Sequence, residues 1–243
     1  MGFVSGKINT HIFRRFGFKI ARHEPPAIIK TLNNFNFETV IDVGANIGQF
    51  ATTLNRYGFI GKIYSVQPSS EAYNKLLVNS RKSTNWHILP RCALGKTEGI
   101  ATLNISKNSY SSSLLQILPK HTSAAPDSQF IKEEKVNMQT LDAMFKDSDF
   151  LRRSCFLKID VQGFEGEVLA GGIELMKKIG GVKIELSLSK LYEGQSSFEQ
   201  LIGLIEDYGF MIWNIEPGFQ NSHSGETYQF DAIMIHDSLL KLV

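Results

Sequence analysis

The sequence predicts an α/β domain built on a mostly parallel sheet with an antiparallel last strand. Three observations carry that expectation. Short apolar runs alternate with stretches of helical period along most of the chain. A turn bearing two glycines follows the first run directly, as where a buried strand feeds a helix. The last two runs have no helical pattern between them, so they pair as neighbours running in opposite directions. The 243 residues, 42% of them hydrophobic, suffice for one domain with its own core, and no repeat or low-complexity linker divides it.

Residues 1–38 read as an N-terminal helical extension and 39–243 as the main domain. In the extension, Ile8, Ile12, Phe13 and Phe16 recur at helical spacing with Arg14, Arg15 and Lys19 among them. That is the pattern of an amphipathic basic helix, which packs on the domain or rests on a membrane surface. Pro25 and Pro26 open a second helix through Leu32, because proline is tolerated in a first helical turn. The runs 39–43, 62–66, 86–89, 155–161 and 182–186 read as parallel strands, and 210–215 with 228–236 as the antiparallel pair. Helix-like stretches lie between them near 48–57, 70–81, 164–178 and 198–208. Residues 106–131, SKNSYSSSLLQILPKHTSAAPDSQFI, break this rhythm. They are rich in serine, yet Leu114, Leu115, Ile117 and Leu118 make them too apolar for simple disorder, and the segment reads as a functional lid.

The balance of 26 basic against 24 acidic side chains leaves +2, too little to imply a nucleic-acid partner. The basic character gathers at the N-terminus, where Lys7, Arg14, Arg15, Lys19, Arg22 and Lys30 face Glu24 alone. Arg14, Arg15 and Lys19 interrupt the apolar run a secretory signal needs, and no stretch approaches a membrane span. Cys92 and Cys155 have neither metal-ligand nor redox spacing and read as plain buried residues of a reducing compartment. A cytoplasmic location follows, with peripheral contact at the inner face of a membrane if the basic helix is used that way.

The first strand runs into VIDVGANIGQF, residues 40–50. A dinucleotide fingerprint needs GxGxxG at this turn, but Asn46 stands where the second glycine belongs and Gly48 comes one position early. The spacing DxGxNxG, over Asp42, Gly44, Asn46 and Gly48, is similar to that of S-adenosylmethionine-dependent methyltransferases. Gly44 lets the backbone turn and approach a ligand, and Asn46 tolerates left-handed geometry. The helix N-terminus that follows can receive a carboxylate, while Asp42 is placed to accept from an amine or to orient the loop. At the end of the second strand, where a ribose-binding acid is usual, the chain has Gln67.

The segment FLKIDVQGFEGEVLAGG, residues 156–172, ends the fourth parallel strand and enters a helix. Together with VIDVGANIGQFA, RCALG and GVKIELS it resembles the FkbM family of S-adenosylmethionine-dependent methyltransferases. The likeness continues through SSSLL, LYEGQ, EPGFQ and YQFDAIMI, so it covers nearly all of residues 39–235. It implies a Rossmann-like, seven-stranded class I methyltransferase fold and methyl transfer to a hydroxyl, often on a sugar or polyketide-like acceptor. It assigns Asp42, Gly44, Asn46 and Gly48 to the cofactor loop, Gln67 with Pro68 to the ribose corner, and Ala93 and Leu94 to the adenine edge. Asp160 matches the acid at the end of the fourth strand, where it also contacts the cofactor. Many members carry glutamate at the positions of Gln67 and Gln162.

A sulfonium methyl is already activated, so the protein aligns the acceptor, excludes water and removes the hydroxyl proton. Asp160 is the first candidate for base or acceptor-orienting acid. Glu165 follows on the next helix, where capping the first turn is the alternative. Glu185 interrupts the apolar strand VKIELSL and needs a partner. With Asp160 and Asp231 it offers one arrangement for a divalent metal, but a salt bridge to Lys158 or Lys183 is the plainer account, and no metal site is assigned. His121, in the insert, is either a base or a solvated loop histidine. The expected activity is O-methylation of a glycan or related small molecule; N-methylation of a small molecule and a non-catalytic ligand-binding role are the alternatives.

Overall fold

The computed structural model describes residues 25–240. The basic amphipathic helix expected around Ile8 and Phe16 lies outside the described residues. In chain order the strands are β1 (Thr39–Val43), β2 (Lys62–Val66), β3 (Trp86–Ile88), β4 (Ala93–Leu94), β5 (Gly99–Ser106), β6 (Phe130–Gln139), β7 (Cys155–Ile159), β8 (Gly181–Ser187), β9 (Phe210–Pro217) and β10 (Gln229–His236). The α-helices are α1 (Ala27–Asn34), α2 (Gln49–Arg56), α3 (Ser70–Ser80), α4 (Pro119–Ala124), α5 (Leu141–Phe145), α6 (Glu165–Ala170), α7 (Ile173–Met176), α8 (Phe198–Glu206) and α9 (Asp237–Leu240).

Seven strands form one sheet in the order β3-β2-β1-β7-β8-β10-β9. β1 pairs in parallel with both β2 and β7, and β10 runs antiparallel between β8 and β9. The expected α/β sheet, mostly parallel with an antiparallel last strand, is therefore present. Strand order reverses at β1, so ligands belong at the carboxyl ends of β1 and its neighbours. No helix among the described residues is long and apolar enough to cross a membrane.

Alternation along the strands sends apolar side chains to two cores. Ile41, Val43, Leu157, Ile159, Ile184 and Met234 pack on one face with residues of α5, α6 and α8. Val40, Ile63, Phe156, Ile233 and Ile235 pack on the other with α1 and α2. Each of these side chains stabilises the fold by about 1.5–3 kcal/mol. The same alternation puts Asp42, Lys158, Lys183, Glu185 and Asp231 on the α1–α2 face, toward the ends of their strands. Cys92 and Cys155 are buried free thiols, and burial pushes them up to about 11 and about 12.

Two features depart from the sequence reading. A second sheet, β4-β6-β5, flanks the insert, with β5 antiparallel to β6. Its β6 carries Lys132, Glu133, Glu134 and Lys135 in succession, so one-sided burial left little apolar pattern. The helix expected over 164–178 is two, α6 and α7, broken at Gly171 and Gly172. A Cβ on Gly171 would overlap the Gly95 carbonyl, and one on Gly172 would lie 2.8 Å from Leu141 Cδ1.

Candidate active site

A cavity of about 640 Å³ opens at the carboxyl ends of β1, β2, β7 and β8, within the roughly 300–1,000 Å³ that small-molecule sites occupy. Backbone forms one end of it. Gly44, Asn46 and Gly48 have left-handed φ of +76°, +50° and +93°, which only glycine and, less easily, asparagine adopt without strain. A Cβ on Gly44 would overlap the Asp160 carbonyl, and one on Gly48 the Trp86 ring. The Asn46 N–H donates to Gln67 Oε1 at 2.9 Å, so the Gln67 oxygen tightens the loop and its amide NH₂ is left to the cavity it lines. Pro68, Ala93 and Leu94 line the same end. Asn46 Oδ1 and Gln49 Nε2 are buried there without a hydrogen-bond partner. Buried polar atoms are normally satisfied, so these two mark a place for a polar ligand.

Asp42 does not reach the cavity. It is fully buried behind the loop, 3.1 Å from Lys158 Nζ, with the Ser65 hydroxyl donating to it at 3.3 Å. Burial raises its pKa, and the Lys158 ammonium opposes the rise. Burial works against Lys158 too, but Asp42 and Asp160 override it and hold the ammonium above its ordinary value. Lys158 also lies 3.4 Å from Asp160 Oδ2 and 3.4 Å from the Gly44 carbonyl. One ammonium thus ties β1, the glycine loop and the end of β7.

Side chains form the other end. Sheet register aligns Asp42, Lys158 and Lys183 across β1, β7 and β8, and Glu185, Asp231 and Glu216 across β8, β10 and β9. Lys183 reaches Asp231 at 2.8 Å and also pairs with Glu216. The expected salt bridge of Glu185 to a lysine does not form, because both ammonium groups are held by other carboxylates. Instead Glu185 Oε2 accepts from Gln162 Nε2 at 2.8 Å and Gln229 Nε2 at 2.7 Å. Glu185 Oε1 has no hydrogen-bond partner among the described residues. Burial, reinforced by Asp160, raises Glu185 well above the usual carboxylate range. Among the described residues, no three His, Cys, Asp or Glu side chains are placed to hold a metal ion.

The family model for the methyltransferase FkbM domain matches residues 42–212, from β1 into β9. The chain belongs to the FkbM family of S-adenosylmethionine-dependent methyltransferases. No curated protein sequence matches it. Among solved structures it is similar to Sp1610 from Streptococcus pneumoniae bound to S-adenosyl-L-methionine, at 11% identity over 85% of this chain and 72% of that one, TM-score 0.48. An rRNA methylase from Streptococcus thermophilus matches at 9% identity over 89% and 98%, TM-score 0.47. A SAM-dependent methyltransferase from Aquifex aeolicus matches at 16% identity over 94% and 100%, TM-score 0.41. None of these likenesses speaks to the acceptor.

In this FkbM methyltransferase Gln162 is the junction between the two ends. Its φ of +57° turns the chain after Asp160. Its NH₂ donates to Asp160 Oδ1 at 3.0 Å as well as to Glu185, while its Oε1 accepts from the Tyr192 hydroxyl at 2.8 Å. The amide orientation follows from these partners. The Ser113 hydroxyl, from the insert, donates to the Gln162 carbonyl at 2.7 Å.

Glu165 stands in the first turn of α6 and does not line the cavity. Its Oε1 accepts from the backbone N–H groups of Val161 at 3.0 Å and Gly163 at 3.2 Å, which fixes the loop after Asp160. Burial pushes its pKa up to about 7. His121 is not a solvated loop histidine. It sits on α4, 3% exposed, with its ring against Tyr192 and Phe219, and burial pushes its pKa down to about 4. It lines the cavity, and its Nδ1 has no hydrogen-bond partner.

The sequence reading missed Gln49, Tyr192, Glu216 and Gln229. For Glu216 and Gln229 a signal existed, since each is a polar residue in a strand neighbouring Asp231 or Glu185. Tyr192 has no local signal, because its partner lies 30 residues away.

Proposed function

We propose that this enzyme transfers a methyl group from S-adenosylmethionine to a hydroxyl oxygen of a glycan or related small-molecule acceptor. One observation carries the reading: a single cavity with two chemically different ends. Unpartnered amide groups of Asn46 and Gln49 stand beside the glycine loop, and the half-buried carboxylate of Glu185 stands opposite with one oxygen unengaged.

The residues present fit the cofactor. Gly44 admits it close to the backbone, Gly48, which does not line the cavity, lets the loop pack on Trp86, and Pro68, Ala93 and Leu94 offer an apolar edge for its base. Gln67 Nε2 as donor and Asn46 Oδ1 as acceptor together serve the ribose hydroxyls, which replaces the acid usual at that corner. Gln49 Nε2 is a donor for its carboxylate. Asp42 and Lys158 act from behind by fixing the loop. When bound, S-adenosylmethionine supplies a methyl carbon already activated on sulfur.

The protein's remaining tasks are to orient the acceptor oxygen, exclude water and take up the hydroxyl proton. Glu185 suits the last task. Two amides hold one oxygen in place, the other is unengaged, and a raised pKa brings the carboxylate nearer the proton it must accept. Asp160, anchored by Gln162 and Lys158, orients the acceptor or the cofactor amine. His121 offers Nδ1 to an acceptor hydroxyl. Residues 106–131 act as a lid within a methyltransferase domain spanning 39–243. Free buried thiols support a cytoplasmic site of action, with the basic segment of 1–38 as a peripheral membrane contact.

Calorimetric titration with S-adenosylmethionine, followed by transfer of labelled methyl to a saccharide panel, tests the reading. Binding and an ether product are expected; no binding, or label on nitrogen, overturns it. Glu185→Gln should lower kcat by about 10²–10⁴-fold, while cofactor affinity changes less than about tenfold. Undiminished kcat would remove Glu185 from the proton-accepting role.

A further inference from the structure

The charges around the cavity do not balance even with Glu185 protonated, because four other carboxylates meet two ammonium groups. Asp160, Glu185, Glu216 and Asp231 line it, Asp42 lies behind, and Lys158 and Lys183 are the cations lining it among the described residues. Each ammonium is already shared between two carboxylates: Lys158 between Asp42 and Asp160, Lys183 between Glu216 and Asp231. Glu185 has amide donors and no cation. Apolar walls such as Phe164 and Phe219 limit screening of the excess negative charge. A separate observation points to a ligand in the same chamber. His121, 3% exposed, lines it with Nδ1 unpartnered, a neutral group suited to a hydroxyl and not to an anion.

We propose that this end of the cavity selects for positive charge: it holds the sulfonium cofactor in preference to the thioether product, which lacks the charge on sulfur, and refuses acceptors that carry an anionic group beside the reacting hydroxyl. The inference rests on the methyl transfer proposed above. With the nucleoside held at Gln67 and Leu94, Asp160 at the end of β7 would be the carboxylate offered to the sulfonium end of the cofactor. In the transfer, the acceptor oxygen forms a bond to the methyl carbon, the carbon–sulfur bond breaks with its electron pair left on sulfur, and the hydroxyl proton goes to Glu185. The positive charge lost from sulfur reappears as that proton, so the chamber's total charge is constant during the step. Once Glu185 gives the proton to solvent, the thioether product lacks the charge that held its precursor. A phosphate, sulfate or carboxylate on the acceptor would add to the negative excess, and no lysine lining the cavity is available to it without breaking an existing ion pair. The acceptor's reacting part is therefore an uncharged polyol.

Binding alone tests the charge selection. S-adenosylmethionine, S-adenosylhomocysteine and sinefungin, an unreactive analogue with an amine in place of the sulfonium methyl, are titrated calorimetrically into the full-length protein at pH 8. The two cations should bind at least about tenfold more tightly than the thioether, and Glu185→Gln and Asp231→Asn should each shrink that ratio severalfold. Should Asp231→Asn fail to fold, Glu185→Gln carries the comparison. Equal or tighter binding of S-adenosylhomocysteine, or a ratio unmoved by the substitutions, overturns this inference and leaves the methyltransferase reading intact. No binding of any of the three overturns both. In the saccharide panel, label should appear in neutral sugars and not in the matching uronates or sugar phosphates; equal labelling of an anionic member also overturns the proposal.

Discussion

The two ends of the cavity are made of different material. At the glycine loop the working surface is backbone, shaped by three left-handed residues within five positions, and a single added carbon at Gly44 would collide with the neighbouring loop. At the acidic end it is side chains from β7, β8, β9 and β10, brought together by register and held by two lysines and two glutamines. The first end is intolerant of size and the second of unpaired charge. Even the two lysines differ. Lys158 serves a carboxylate with no exposure, whereas the Glu216 and Asp231 side chains that Lys183 serves are 22% and 28% exposed.

The largest effect should come from breaking that last contrast. Lys158→Met leaves Asp42 buried without its counter-ion and should cost about 3–5 kcal/mol of unfolding free energy. Lys183→Met should cost less, below about 2 kcal/mol, because water can reach both of its partners. Denaturant unfolding of the two variants checks the order. Asp42→Asn placed on Lys158→Met should recover part of the loss, and equal losses in the two single variants would erase the distinction.

At the backbone end, Gly44→Ala should weaken S-adenosylmethionine binding about 100-fold, equivalent to about 2.7 kcal/mol. Gly58 separates collision from strain. It has a φ of +81° but nothing within 4 Å of an added Cβ, so Gly58→Ala should cost only the left-handed penalty of about 1–2 kcal/mol in stability. Its cofactor affinity should be unchanged by calorimetry. A similar affinity loss in both variants would mean that the Asp160 contact plays no part.

The same difference in material decides what could be read in advance. The run 40–50 announces itself, because strand, glycine and asparagine are contiguous and each carries its conformational meaning locally. The main sheet was equally legible, since burial on both faces leaves unbroken apolar runs. The acidic end was not. Glu185 was evidently in need of a partner, but choosing Gln162 and Gln229 over Lys158 and Lys183 requires knowing that the lysines are already engaged by Asp42, Asp160, Glu216 and Asp231. That information sits in strand pairing and in no local pattern. His121 misled for a related reason: its serine-rich surroundings suggest solvent, whereas the walls that bury it, Tyr192 and Phe219, come from other loops. The small sheet escaped because β6 is mostly exposed and its charges mask its period.

Glu165 tests whether a raised carboxylate pKa at this site marks function or strain. Its unfolded value is near 4.5 and its folded value about 7, so the native state keeps a proton that the unfolded chain has lost. Its favourable contribution is complete below about pH 4.5 and disappears as pH rises through 7. Glu165→Gln keeps an oxygen for the Val161 and Gly163 N–H groups and removes the titration. Relative to the wild type, the variant should gain about 2–3 kcal/mol between pH 5 and pH 8, read from melting temperatures across that range. A pH-independent difference would mean that the carboxyl titrates normally, and a large loss of kcat would return Glu165 to the catalytic set.

The smallest expected effect concerns the contact that couples the two ends. The Tyr192 hydroxyl donates to Gln162 Oε1, which leaves the amide NH₂ directed at Asp160 and Glu185. Tyr192→Phe keeps the ring that packs on Gly163 and His121 and removes the hydroxyl, whose one proton is shared between Gln162 Oε1 and, at 3.2 Å, the Ser111 carbonyl. The two carboxylates still favour the present amide orientation, so the loss should be one hydrogen bond, about 1 kcal/mol in stability. Because Gln162 positions Glu185 but not the glycine loop, kcat should fall a few-fold while calorimetric affinity for S-adenosylmethionine stays constant. If affinity fell in step with kcat, the two ends would be one mechanical unit and the separation between them would fail. If neither moved, the orientation of Gln162 would be set wholly by the carboxylates it serves.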